Sequence, residues 1–335
     1  MTSWNNPLKA DSLPWLLEPD PVNPAIRYFA LTDLLGRAAD DPEVQEARAA
    51  IMATGPVPAI LDAQHPDGYW VKPGGGYSPK YRSTIWQIIF LAELGADAGD
   101  ERVQRGCEYV LEHSIAKNGA FSAYQKPVPS GAAPCLNGNL IWAMLRLGFR
   151  DDGRVQTALD WLARSITAER DFQYLKSGTC GPGFCCSANE WQPCAWGANK
   201  ALKALLAIPA PERSPTIQHA LDRGAEFLLS RDPAVADYPY TQRVSSTWFK
   251  LGFPLTYWSD VLETVQNLVD LGYSDDPRLA NAIQFILDKQ DAQGRWKLGN
   301  SLKGKMWSDI EQKGRPSKWV TLRALRMQQT FEFPL

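Results

Sequence analysis

Four of the six cysteines in this chain of 335 residues crowd into one stretch, at Cys180, Cys185, Cys186 and Cys194. The last opens the string Pro193-Cys194-Ala195-Trp196-Gly197, and the same P-C-x-x-G pattern occurs upstream in Pro134-Cys135-Leu136-Asn137-Gly138. Each string runs into apolar residues at helical spacing, which predicts Cys135 and Cys194 in the first turns of two equivalent helices. A thiol placed there faces unpaired backbone N–H groups and the positive end of the helix macrodipole, and both favour the thiolate. A thiolate can serve as nucleophile, proton acceptor or metal ligand. Asp260 stands beside them as the candidate carboxylate. It starts a third such helix in W-S-D-V-L-E-T, where an aspartate can cap the helix or move a proton.

Composition narrows the classes of function. At 44% hydrophobic and 21% charged residues, the chain is globular and long enough to bury a sizeable core. A formal net charge of -2 without a long single-sign run predicts neither a nucleic-acid partner nor an anionic membrane. The start M-T-S-W-N-N-P-L lacks the pattern of a signal peptide, and no apolar run reaches about 18 residues, so a soluble, cytoplasmic protein is expected. Thiols stay reduced in that compartment, and clustered cysteines then point to chemistry or metal binding more than to a disulfide.

The elements that must position these groups follow from a repeat. Tyr81 to Gly95, Cys135 to Gly148, Cys194 to Pro209 and Trp258 to Gly272 each read as a helix that is apolar nearly all round and stops at L-G or I-P. Each is followed by an amphipathic helix with an acidic or serine cap. The first kind must be buried and the second must cover it. With further segments at Asn23 to Met52 and Lys318 to Arg326, the pattern predicts an all-α fold, an α/α toroid of about six inner and six outer helices. It forms a single domain over residues 1–335, with an irregular arm at 1–22.

Two further strings, Q-H-P-D-G-Y-W with Gln64, Gly68 and Trp70, and Q-D-A-Q-G-R-W with Gln290, Gly294 and Trp296, complete the pattern. Together with the helix pairs they resemble the α/α-toroid superfamily of terpenoid cyclases and protein prenyltransferases, in its short single-barrel form. The strings look like the QW repeats of squalene–hopene-type cyclases, in which the glutamine ties to the next outer helix and the tryptophan packs beneath it. The resemblance implies an apolar, isoprenoid-like or aromatic substrate in a central cavity. The chain departs from these relatives at their chemical motifs: Asp260 stands alone where the cyclases carry D-x-D-D-T, and neither the D-x-C of the prenyltransferases nor the C-H-G of the lanthionine cyclases occurs.

Counting back from the helix-ending glycines makes Arg82, Cys135 and Ser259 equivalent. Parallel inner helices then gather their first turns at one mouth. The expected catalytic set there is Asp260, Cys194, Cys135, Cys186 and Cys180; Tyr81, Arg82, Asn137, Trp196, Tyr257, Trp258 and Trp319 are the expected substrate-binding wall. Cys107 and the three histidines read as structural. No cofactor is expected: the spacing C-x4-C-C-x7-C is not a zinc-finger pattern, and zinc on Cys135, Cys180, Cys186 and Cys194 is the alternative. These features predict a lyase or isomerase acting on a small or medium apolar molecule in the central cavity by acid/base or thiolate chemistry. The other class to test is a non-catalytic toroid that binds a ligand or a protein partner.

Overall fold

The structure is a computed structural model that describes residues 8–168, 183–239 and 245–332. In chain order its α-helices are α1 (Leu13–Leu17), α2 (Ala25–Phe29, continued by a π-helical turn Ala30–Leu34), α3 (Pro42–Ala53), α4 (Pro56–Asp62), α5 (Thr84–Glu93), α6 (Glu101–His113) and α7 (Pro134–Arg146). There follow α8 (Gly153–Thr167), α9 (Ala195–Leu206), α10 (Pro215–Leu229), α11 (Val261–Asp270), α12 (Ala280–Asp288) and α13 (Lys318–Glu332). Among the described residues the only ladder is a two-residue antiparallel pair, Trp296–Lys297 with Pro316–Ser317.

Sequence dictates which helices go inside. In α5 every residue from Thr84 to Ala92 is buried, whereas α6 buries one stripe and leaves Glu101, Arg105 and Glu112 in water. The outer helices start on side-chain caps: Asp41, Asp100, Asp152 and Ser214 accept from the N–H groups of Glu43, Arg102, Arg154 and Ile217. Three inner helices stop at Gly95, Gly148 and Gly272, whose φ values of 73, 90 and 91° lie in the left-handed region that glycine adopts freely. Around the inner layer α5 packs on α7, α7 on α9, α9 on α11, α11 on α13, and α13 on α2. The Phe29 ring lies against Gly95 and closes the circle. The fold is an α/α toroid.

One outer position is filled in a way the repeat does not predict. Gln64 donates to the Arg102 carbonyl at the start of α6 (2.9 Å), and a Cβ on Gly68 would come within 2.6 Å of the Arg105 carbonyl oxygen. At the second string the corresponding partner is the N-terminal segment. Lys9 N–H donates to Gln290 Oε1 (2.9 Å), and a Cβ on Gly294 would lie 2.1 Å from the Ala10 carbonyl oxygen. Residues 8–24, with the short helix α1 and a fully buried Leu16, therefore take the sixth outer position. In both strings the tryptophan is buried. Its indole N–H donates 2.7 Å to the last turn of the preceding helix, Trp70 to Ile60 and Trp296 to Ile286. Among the described residues no helix is long and apolar enough to cross a membrane.

The P-C-x-x-G echo has a packing reason. A Cβ on Gly138 would sit 2.3 Å from both the carbonyl carbon and the oxygen of Lys200, and one on Gly197 would sit 3.2 Å from Pro134 Cβ. The two strings thus let α7 and α9 approach to backbone contact. Backbone cannot step aside as a flexible side chain can, so Gly138→Ala is expected to cost about 2–3 kcal/mol or more through overpacking. Urea unfolding of the two proteins measures it.

Candidate functional site

The N-terminal end of the inner ring does gather the cysteines. Cys135, Cys186 and Cys194 lie close together: Cys186 opposes the ionisation of both Cys135 and Cys194, and Cys194 opposes that of Cys135. Around them Tyr77, Tyr81, Trp86, Trp196 and Tyr257 interlock as tilted and edge-to-face pairs, with ring centroids 5.2–6.3 Å apart. The Lys80 ammonium sits 4.4 Å from the centre of the Tyr257 ring. Cys180 lies outside the described residues.

The helix-start argument for thiolates is overturned by burial. The N–H groups of Gly197 and Trp196 do face Cys194, but enclosure in protein outweighs them and pushes its thiol up to about 11. Cys135 is pushed higher still, by burial first and then by Cys194 and Cys186. All three thiols are protonated at neutral pH. Cys185, half-buried on its loop, is the least enclosed, while Cys107 is inaccessible inside α6. Iodoacetamide at pH 7.5 is therefore expected to label Cys185 first and Cys107 last, with Cys135 and Cys194 slow; peptide mass spectrometry after timed quenching reads the order. Among the described residues no three His, Cys, Asp or Glu side chains converge as metal ligands. The donor set that tetrahedral zinc requires is not assembled by them.

Of the other expected residues, few face an open space. Asn137 is spent on the chain itself: its side chain donates to the Phe121 and Ala133 carbonyls and accepts from Phe121 N–H. Trp258 is buried against Gly252. Arg82 points outward, its guanidinium over the Trp307 ring and its carbonyl accepting from Trp307 Nε1. Asp260 is fully buried at the start of α11, where it accepts from the N–H groups of Glu263 and Gly252 and forms two contacts of 2.8 and 2.9 Å with Arg323. Burial alone would raise its pKa, but the Arg323 charge and these hydrogen bonds hold it below the ordinary aspartate range. It is an ionised, fully partnered group with no proton to give.

The open space lies further down the ring. A cavity of about 320 Å³ runs along α11 toward the C-terminal ends of α5 and α9. One wall is apolar, made by Trp142, Leu206, Leu255, Leu262 and the stacked pair Phe253 and Trp319, whose centroids are 3.9 Å apart. Trp319 is the one expected wall residue that lines it. Most of the rest is charged, Glu93, Lys203, Glu263, Asp270, Arg323 and Arg326, with the amides of Gln266 and Asn267 between them.

Nearly every charge there is matched. Lys203 pairs with Glu93 and lies 3.6 Å from the centre of the Trp142 ring. Lys200, wholly buried behind the wall, contacts both oxygens of Glu263 at 2.7 Å. Arg323 holds Asp260, and Arg326 holds Asp33. Burial pushes the Glu93 carboxyl up, but the Lys203 charge beside it more than compensates, so it stays ionised. Asp270 differs. It ends α11 and is the lining carboxylate outside any ion pair. Its side chain is exposed to solvent, and Gln266 donates to its Oδ1 at 2.6 Å. The protein crowded around it pushes its pKa up to about 6, against the weaker pull of Gln266 and Arg326. The negative end of the helix dipole acts in the same upward direction. A carboxyl poised near 6 can give or take a proton at neutral pH.

Sequence reasoning missed Glu93, Lys203, Asp270 and Arg323. The signal was present: each is a charge on a helix otherwise built to be buried.

The fold and cavity define an α/α toroid with a charged central chamber. Solved structures to which the chain is similar include a protein from Actinoplanes (14% identity, TM-score 0.44, covering 92% of this chain and 90% of that one). Others are the type II terpene cyclase MstE from Scytonema (15%, 0.42, 92% and 87%) and a glycosidase (12%, 0.36, 86% and 96%). No protein-family model and no curated protein matches the sequence.

Proposed function

We propose that the chain is an enzyme of lyase or isomerase type that holds a small, largely apolar molecule, isoprenoid or aromatic, in the ring cavity and moves a proton on it. The observation that carries this reading is the pairing of an aromatic wall with one carboxyl, Asp270, that no cation neutralises. Aromatic faces such as Trp319 and Phe253 stabilise cationic character that develops on a protonated substrate. The fixed pairs Glu93–Lys203 and Arg323–Asp260 supply a preorganised field around it. Asp270 takes the role first expected of Asp260 and the thiols. The chemistry proposed needs no cofactor.

The second reading, a non-catalytic ring, draws on the five aromatics that fill the N-terminal end. The two readings separate in one experiment. Protein purified from its cells is extracted and the retained compounds are identified by mass spectrometry; each is then incubated with fresh protein. Conversion to a new product supports the enzyme, and retention without conversion supports the binder.

A further inference from the structure

The ring is electrically polarised along its axis, although its net charge is close to zero. The six connections from an outer element to the next inner helix (18–24, 63–83, 114–133, 183–194, 230–260 and 289–317) all lie at the N-terminal end of the inner ring. Their described residues carry fourteen Lys or Arg against ten Asp or Glu. The five connections at the opposite end (35–41, 94–100, 147–152, 207–214 and 271–279) carry four against nine. Reading the chain linearly hides this, because basic and acidic connections alternate and cancel.

The basic end is also where apolar side chains meet water. Among the described residues eight large hydrophobic side chains are exposed, and seven of them, including Val22, Val71, Tyr124, Trp191, Val235 and Trp307, lie on its connections. The acidic end has only Leu35. Val71 keeps half its surface in water while its φ is +72°, a conformation that a β-branched residue rarely adopts.

We infer that the basic end of the ring is a docking face for an anionic lipid surface. Lysines and arginines near such a surface are attracted by its negative potential, and tryptophan and tyrosine favour the headgroup level. The exposed valines distinguish a bilayer from a soluble polyanion, since an aliphatic side chain gains from acyl chains and gains nothing from phosphates. The acidic end turns away from the same surface, which fixes the orientation. A second copy of the chain is a poorer fit: charge would match end to end, but the acidic end offers only Leu35 to cover Trp191 and Trp307. The inference stands on surface charge and exposure alone, independently of the chemistry proposed in the cavity.

Co-sedimentation with vesicles tests it. On phosphatidylcholine vesicles containing about 30% phosphatidylglycerol, in about 0.05 M salt, the bound fraction is expected to exceed that on pure phosphatidylcholine by about tenfold or more, and to fall toward it at about 0.5 M salt. The exposed pair Lys303 and Lys305 flanks Gly304; reversing it with Lys303→Glu and Lys305→Glu should cut binding about tenfold at an unchanged Tm. Asp40→Asn, on the acidic end, should leave binding as it was. Equal binding to both vesicle types, or none to either, overturns the inference. So does retention on heparin without vesicle binding, which would make the partner a soluble polyanion.

Discussion

Asp260→Asn is expected to destabilise the fold by about 3–5 kcal/mol, the range found when one partner of a buried ion pair is removed and the other charge is left behind. The change is nearly isosteric, and asparagine can still cap α11 through its one oxygen, so the loss reports the charge and the hydrogen bonds it accepts rather than packing. The stranded group is Arg323, whose two contacts of 2.8 and 2.9 Å to the carboxylate would be reduced while it stays enclosed. One acceptor oxygen would also become an amide NH2, facing either the Gly252 or the Glu263 N–H. Removing the charge as well should recover much of the loss, so Asp260→Asn with Arg323→Met should be more stable than the single variant. The pH dependence has a definite sign. A carboxyl with a lowered folded pKa stabilises fully above the unfolded value near 4 and loses that contribution as pH falls through the folded value. The wild-type advantage over the single variant should therefore be flat from pH 5 to 8 and shrink in acid. Urea unfolding across that range measures it. A variant of unchanged stability that had lost turnover would return Asp260 to the role of catalytic acid.

How far the sequence carried this reading depended on the distance over which each interaction acts. The helices were legible because their causes are local: caps such as Asp100 and Asp152, stops such as Gly95 and Gly148, and the period of apolar residues all act within a few positions. The Gln64 and Gln290 strings stood out as a repeated pattern, although their partners at Arg102 and Lys9 lie 38 and 281 residues away. The P-C-x-x-G echo was a real signal read for the wrong component. Its glycines decide the approach of α7 to α9, while its cysteines are carried into an enclosed site where burial outweighs the helix start. The cavity was not legible, because its charges meet only when the ring closes. Lys203 and Glu93 are 110 residues apart in sequence, and Arg323 and Asp260 are 63 apart. On a linear chain each looks like an ordinary solvated charge. What marks them is the helix they occupy, since a charge on an inner helix must find a partner inside the ring or face a cavity.

Asp270→Asn is expected to lower turnover of the cavity's substrate by about 10²- to 10⁴-fold, the usual contribution of a positioned general acid or base. Stability at neutral pH should not fall with it. A carboxyl raised to about 6 in the folded protein, from about 3.8, stabilises below the unfolded value and loses that contribution as pH rises through 6. At pH 7 the ionised Asp270 is therefore slightly unfavourable to the fold, and the neutral amide, still within reach of Gln266, relieves it. The variant should unfold at an equal or higher urea concentration than wild type at pH 7, with the difference vanishing near pH 4. This sets Asp270 apart from Asp260, whose loss strikes the fold first. The same pKa predicts the rate profile. If Asp270 accepts the proton, kcat rises with pH through a midpoint near 6, and if it donates, kcat falls through that midpoint. In either case the limb is absent in Asp270→Asn. Gln266→Leu removes the hydrogen bond that holds the pKa down, so its midpoint should move upward. A profile flat through pH 6 in wild type, or turnover unchanged in Asp270→Asn, would show that the proton moves elsewhere in the ring.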